Sequence, residues 1–259
     1  MTILEKLAEY AGERVAAAQS FRSLEEVKML ANELPKGSFE FEKALSGKRL
    51  SFICECKKAS PSKGIIAEDF PYLGIAKQYE AAGADCISVL TEPKWFMGSE
   101  KYLKEISSEV SIPCLRKDFT VHEYMIYEAK LLGAKAVLLI CSILTQTKLE
   151  RYLSVCEQLG LSALVEAHDS NEVKAAVNSG ARLIGVNNRN LSDFTVDTDN
   201  SRRLRELVPD SVLFVSESGV RSREDIVKLE QAGADAVLVG EALMRAPDIA
   251  AKLKELRGE

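Results

Sequence analysis

The chain has 259 residues, a formal net charge of −5 and an apolar content of 46%. That length suits one large α/β domain or two small ones, and the composition is that of a chain able to bury a sizeable core. The acidic balance argues against a nucleic-acid surface; no apolar stretch reaches the length of a membrane span, and the N-terminal segment lacks the basic start and apolar run of a secretory signal. The six cysteines sit mostly inside apolar runs, which predicts reduced, buried thiols and a cytoplasmic setting.

Residues 1–48 read as helices, "ILEKLAEYAGERVAAA" and "SLEEVKMLANEL", with Ser23 as an N-cap for the second. This extension is expected either to cap the bottom of the fold or to edge its active site. The first strand is "LSFICECK" (50–57). Four later segments repeat one another: "GADCISVL" (83–90), "GAKAVLLI" (133–140), "GARLIGVN" (180–187) and "GADAVLVG" (233–240). In each, a glycine stops a preceding helix and a short Val/Ile/Leu run follows, the pattern of a strand buried on both faces. Between them fall "IPCLRKDF" (112–119), "SALVEAHD" (162–169) and "VLFVSESG" (212–219). Eight strands, each followed by a helical pattern, predict an α/β fold, a (β/α)8 barrel with an N-terminal helical extension. An open doubly wound sheet is the alternative, but no G-x-G-x-x-G follows the first strand. No low-complexity tract or Pro/Gly-rich linker divides the chain, so 1–259 is expected to be a single domain with 1–48 as its extension.

In such a barrel the C-terminal strand ends build the active site, and strand alternation decides which side chains aim inward. Ile53, Glu55 and Lys57 share one face of the first strand; Phe52, Cys54 and Cys56 share the other and should pack outward against helices. Lys117, Glu166, Asn187 with Arg189, and Glu217 occupy the corresponding ends of later strands. Buried strands rarely end in charge without pairing, because desolvation is costly. One such residue is ordinarily a solvated rim charge, but the recurrence of charge at five strand ends points to function. "SESGV" and "VGEAL" add small residues where barrel enzymes hold phosphate, and the Ser60 hydroxyl can join them.

Other patterns carry less. His122 and His168 have no metal-ligand spacing and read as loop or helix-start residues. Cys54 and Cys56 form C-x-C rather than C-x-x-C, and no second pair lies at zinc spacing. The Asn190-Leu191-Ser192 sequon has no meaning in a cytoplasmic chain.

Taken in order, "ECKKASPSKG", "TEPKWFMGS", "LRKDFTVHEYMIYEA", "LVEAHD", "IGVNNRNL", "SESGV" and "VGEALM" resemble the indole-3-glycerol-phosphate synthases of tryptophan biosynthesis along essentially the whole chain. The combination of E-x-K-x-x-S-P-S, K-D-F and N-x-R-x-L is specific. The resemblance implies a carboxy-lyase that closes the indole ring of 1-(2-carboxyphenylamino)-1-deoxyribulose 5-phosphate, releasing CO2 and water, with no metal or organic cofactor. It implies a phosphorylated small-molecule substrate and no nucleic-acid, membrane or obligate protein partner.

Carried over by motif, Glu55, Lys57, Lys117, Glu166 and Asn187 are the expected catalytic residues. Arg189, Glu217, Ser218, Phe96 and Phe119 are expected to bind substrate, the two phenylalanines as a wall for the anthranilate ring. Ser60, Gly219, Gly240 and the backbone N–H of Glu241 are expected to hold the phosphate. Many relatives carry serine where Asn188 and Glu241 stand, so no side-chain role is carried over to either; Cys54 and Arg116 receive none. The chemistry predicts Lys117 as the acid for closure, positioned by Glu55 or Asn187. Lys57 then assists dehydration or binds the substrate carboxylate, and Glu166 takes a proton; exchange of the two lysines stays open. The alternatives are another phosphate-binding barrel enzyme, such as phosphoribosylanthranilate isomerase, or a non-catalytic barrel. The isomerase is expected to show a Cys/Asp pair where this chain has Glu55/Lys57 and Asn187/Arg189.

Overall fold

The computed structural model describes residues 2–190 and 194–259; Leu191 and Ser192 of the sequon lie outside the described residues. Eight parallel strands close into a barrel: β1 Ser51–Cys56, β2 Cys86–Leu90, β3 Cys114–Lys117, β4 Ala136–Ile140, β5 Ser162–Ala167, β6 Leu183–Asn187, β7 Leu213–Glu217 and β8 Ala236–Val239. Each strand pairs with its neighbours in sequence, and β1 closes the ring by pairing with β8 through Ser51–Ala236 and Cys54–Val239. All eight predicted strands are present. At the predicted helix stops, Gly83, Gly133, Gly180 and Gly233 have φ of 84°, 85°, 82° and 79°, the left-handed conformation that ends a helix and that a side chain would strain.

Strand alternation splits the core into two layers. Ile53, Leu115, Leu138, Leu164, Leu183 and Val215 fill the barrel interior. Phe52, Cys54, Cys56, Ile87, Val137 and Val165 face outward and pack under the helices. Cys54 and Cys56 are therefore inert members of the outer layer, packed with Ile75, Ala76 and Tyr79. Burial pushes the Cys54 and Cys56 thiols far up from their ordinary value, as expected for groups that do no chemistry. All six cysteines are free.

The N-terminal helices do both things the sequence offered as alternatives. Helix α1, Ile3–Phe21, starts with a capping box between Thr2 and Glu5 and sends Leu7 and Ala11 into the interior layer. It meets the outlet of β3, where Arg14 grips Asp118 through two hydrogen bonds of 2.6 and 3.1 Å. Helix α2, Leu24–Glu33, is capped by Ser23 as expected. Helix α3, Glu40–Leu45, plugs the other end with fully buried Phe41 and Leu45. There the Glu42 N–H donates to the Ser162 hydroxyl at 3.2 Å, at the start of β5. Gly37 and Gly160 touch backbone to backbone, leaving no room for a Cβ on either.

Asp118 is wholly buried, and it also accepts from Thr91 at 2.5 Å and from the Phe119 N–H at 2.8 Å. Burial alone would raise its carboxyl, but Arg14 and Arg116 hold it below the usual carboxylate range. Arg14→Leu should therefore leave an undercompensated buried charge and cost about 3 kcal/mol. The measurement is a urea midpoint lowered at unchanged slope, with Arg14→Leu/Asp118→Leu less destabilised than the two single losses combined.

Candidate active site

A cavity of about 420 Å³ opens at the C-terminal ends of the strands, a size that suits a small phosphorylated molecule. Every residue singled out from the sequence lines it: Glu55, Lys57, Ser60, Phe96, Lys117, Phe119, Glu166, Asn187, Arg189, Glu217, Ser218, Gly219, Gly240 and Glu241. For the strand-borne members the reason is the alternation above: inward positions that are apolar low in the barrel become charged at its mouth, where a cavity replaces packing; the others come from the loops that follow the strands.

The charges pair across the mouth in a way no spacing reveals. Lys117 Nζ lies 3.1 Å from Glu166 Oε2 and 3.6 Å from Glu217 Oε2. Asn187 Nδ2 donates to the other Glu166 oxygen at 3.2 Å. Glu55 pairs instead with Lys57. The direct partners of Lys117 are Glu166 and Glu217, because strands β3, β5 and β7 aim their inward ends at one point; Asn187, expected to position it, reaches it through Glu166, and Glu55, the other residue expected there, pairs with Lys57.

Burial disfavours the Lys117 ammonium, but Glu166, Glu217 and Glu55 together hold its pKa above the ordinary lysine value. Burial likewise works against the Glu166 carboxylate, yet Lys117, His168 and Asn187 hold it well below the usual range. Glu217 goes the other way, pushed up to about 8 by burial and then by the charge of Glu166. Its Oε1 has no hydrogen-bond partner among the described residues and lies against Gly185, where a Cβ would collide with it. Two carboxyls flank one lysine with opposite tendencies, one held toward its ionised form and one toward its protonated form, which is the arrangement that separates a base from an acid.

The raised value has two readouts. If the Glu217 proton serves substrate capture, kcat/KM falls as pH rises through about 8, and Glu217→Gln removes that limb. Between 4.5 and about 8 the folded chain holds a proton that the unfolded chain releases. Stability therefore drops as pH rises through this window, and Glu217→Gln should flatten the slope of urea midpoint against pH.

Phe96 and Phe119 stand side by side on the cavity wall. The Phe96 and Phe119 rings lie 6.0 Å apart, tilted, and Leu4 and Leu7 of α1 also line this cavity. Phe96 is held by a residue the sequence reading passed over. The carboxylate of Glu92, fully buried, accepts from the backbone N–H groups of Lys94, Trp95 and Phe96 at 2.9, 2.7 and 2.9 Å, folding that loop into a fixed turn.

Elsewhere on the cavity wall, "ASPSKG" forms a small hairpin, with Ala59–Ser60 paired to Gly64–Ile65. Ser218 and Gly219 follow β7 with φ of 67° and 95°. A serine held in the left-handed region is strain of the kind kept at working sites. A Cβ at Gly240 would press on Glu55, so that glycine lets strand β8 approach the Glu55–Lys57 pair. Glu241 turns its carboxylate to Arg245, Lys63 and Arg189, at 3.3, 3.7 and 3.8 Å. Arg221, Arg245 and Lys252 also line the cavity, basic residues missed from sequence because they lie on helices and turns beyond the strand ends.

His168, expected to be a loop or helix-start residue, does precede the Asp169 N-cap of helix α4, Ser170–Asn178. Yet its Nε2 lies 3.3 Å from Glu166 Oε1. His122 has only a local role, accepting from the Tyr124 N–H at 3.1 Å. Among the described residues, no group of three or more His, Cys, Asp or Glu is arranged to hold a metal, and no helix is long and apolar enough to cross a membrane.

Comparison with known proteins adds the identity. In fold the chain is similar to 3-hexulose-6-phosphate synthase, with TM-score 0.63, 17% identity, and 81% of this chain and 99% of that one covered. It is also similar to a thiamine phosphate pyrophosphorylase from Pyrococcus furiosus, with TM-score 0.58, 17% identity, and 81% and 94% covered. At that identity the likeness shows only the barrel. In sequence it is 56% identical over 257 residues to the indole-3-glycerol phosphate synthase of Ruminiclostridium cellulolyticum, covering 99% of each chain. It is 50% identical over 260 residues to that of Leuconostoc mesenteroides, again covering 99% of each. The family model described as indole-3-glycerol phosphate synthase matches residues 4–256. With the barrel, the mouth of paired lysines and glutamates and these matches together, the chain belongs to the indole-3-glycerol phosphate synthases, the decarboxylating, ring-closing lyases of tryptophan biosynthesis.

Proposed function

We propose that the mouth of the barrel performs ring closure with Lys117 as acid and Glu166 as base. The observation that carries this reading is the half-buried Lys117 ammonium, 3.1 Å from Glu166 and 3.6 Å from Glu217, with the proton affinity of the first carboxyl lowered and that of the second raised. The substrate's anthranilate ring lies against Phe96 and Phe119. Its phosphate takes the Ser60 hydroxyl and the backbone N–H groups at Gly219, Gly240 and Glu241. Arg189, Glu217 and Ser218 hold the chain between ring and phosphate.

Lys117 gives a proton to the C2′ oxygen as the ring carbon bearing the carboxylate attacks C2′. Loss of CO2 restores the aromatic ring. Lys57, paired with Glu55, then protonates the C2′ hydroxyl so that it leaves as water. Glu166, assisted by Asn187, removes a proton from C1′, and the second indole double bond forms. Two protons are given and one is taken, so each turnover consumes one. Lys117 is preferred to Lys57 as the closure acid because two carboxyls rather than one face its ammonium across the mouth.

The single domain 1–259 is proposed to carry the whole activity. Six free thiols support a reducing, cytoplasmic setting, and the net charge of −5 supports the expectation that no nucleic acid is bound. The test is conversion of 1-(2-carboxyphenylamino)-1-deoxyribulose 5-phosphate, followed by indole absorbance with metal chelator present and absent. Turnover equal in both supports the reading; tight binding of substrate without turnover overturns it.

A further inference from the structure

We propose that His168 is the positioning residue of the base: wedged between Glu166 and Glu172, its imidazolium keeps the Glu166 carboxylate ionised and aimed after Lys117 has given up its proton. This rests on the reading of Glu166 as the base.

The turn from β5 into α4 is built around this side chain. Glu172, one turn into α4, accepts from the His168 backbone N–H at 2.7 Å and faces its Nδ1 at 3.2 Å with the same oxygen. Asn200 donates to the His168 carbonyl at 3.1 Å from the far side. Asp169 caps the helix that presents Glu172, accepting from the Asn171 and Glu172 N–H groups at 2.8 and 2.9 Å. The ring thereby stands with Nε2 3.3 Å from Glu166 Oε1, an ion-pair contact, Nε2 having no hydrogen bond among the described residues. Burial opposes its charge, but Glu166 and Glu172 raise the imidazole to about 10, so it is cationic throughout the working range.

The charge matters because Lys117 is transient. Once Lys117 has protonated the substrate, its neutral amine no longer holds the Glu166 proton affinity down. Glu166 would then recapture a proton and be lost as a base before C1′ is reached. His168, on the other carboxylate oxygen, is the cation that stays. The other charged groups around it do not replace it. Glu172 is an anion, Glu217 lies beyond Lys117, and Arg189, Asp197 and Arg203 line the polar cavity behind the ring.

The test uses His168→Asn and substrate deuterated at both C1′ positions. The expected result is kcat lowered about tenfold, equivalent to one pKa unit at Glu166, with KM within about twofold. A deuterium isotope effect on kcat should also appear that exceeds that of the unaltered enzyme. His168→Lys, which restores a cation, should recover part of the loss. Glu172→Gln should show a smaller loss of the same kind, and His168→Asn/Glu172→Gln should be no worse than His168→Asn alone, since Glu172 acts through the ring. If His168→Asn does not fold, Glu172→Gln carries the isotope measurement by itself. An unchanged kcat and isotope effect, or a loss confined to KM, overturns the proposal. Glu166→Gln separates the two levels: full activity there would sink the base reading, whereas its loss beside an unaffected His168→Asn sinks only this inference.

Discussion

Lys117→Met should lower kcat about a thousandfold while changing KM by only a few-fold, since an acid acting in the transition state contributes roughly 10²–10⁴ in rate. Methionine matches the stem of lysine and removes the ammonium, so the cavity keeps its shape. Glu166 and Glu217 are then left facing each other without the cation that lies 3.1 and 3.6 Å from them. The Glu166 proton affinity should rise with it, so the variant loses its acid and part of its base together. In a single turnover neither CO2 nor indole should be released. Lys117→Arg restores the charge but donates its proton poorly, because guanidinium stays protonated. It should bind substrate and remain almost inactive. Near-normal turnover in Lys117→Met, or a defect seen only in KM, would transfer the closure step to Lys57.

Glu166→Gln should be as damaging to turnover, about a hundredfold or more, but at a different point in the reaction. The amide keeps contact with Asn187 and cannot accept the C1′ proton. Closure and decarboxylation need only Lys117, so a single turnover should release CO2 ahead of any indole absorbance. The hydroxyindoline that accumulates is the signature. Simultaneous loss of CO2 release would mean that Glu166 acts earlier, chiefly by supporting the Lys117 ammonium.

Much of this protein was legible before its structure. The strands could be found because each is a local run of apolar residues behind a glycine that ends a helix, and both signals lie within a few residues. Alternation, also local, put Glu55 and Lys57 on the inward face of β1 and made the conspicuous Cys54 and Cys56 its inert outward half. The charged residues gathered at the mouth followed, since the inward strand ends reach one cavity, whereas Phe96, Phe119, Ser218 and Glu241 came from the resemblance. The substrate did not follow either; it came from the resemblance of whole motifs, which the comparisons bear out.

What alternation cannot carry is partnership. Glu55 and Lys57 are two residues apart and do pair, but Lys117 meets Glu166 and Glu217 from strands widely separated in sequence. His168 read correctly as a helix-start residue, and nothing in its neighbours announced that its ring turns back to Glu166. Arg14 lies in an unremarkable helical stretch and Glu92 in a loop, yet Arg14 pairs a buried carboxylate and Glu92 gathers three backbone N–H groups. The amino-acid sequence by itself determined the barrel, its two core layers and the residues at its mouth, because period and punctuation act over a turn or a strand. Only the closed tertiary structure decided which acid faces which lysine, and therefore which carboxyl is ionised. Those energies depend on distances of 3 to 4 Å across the barrel and on burial from water, and neither exists until the ring has closed.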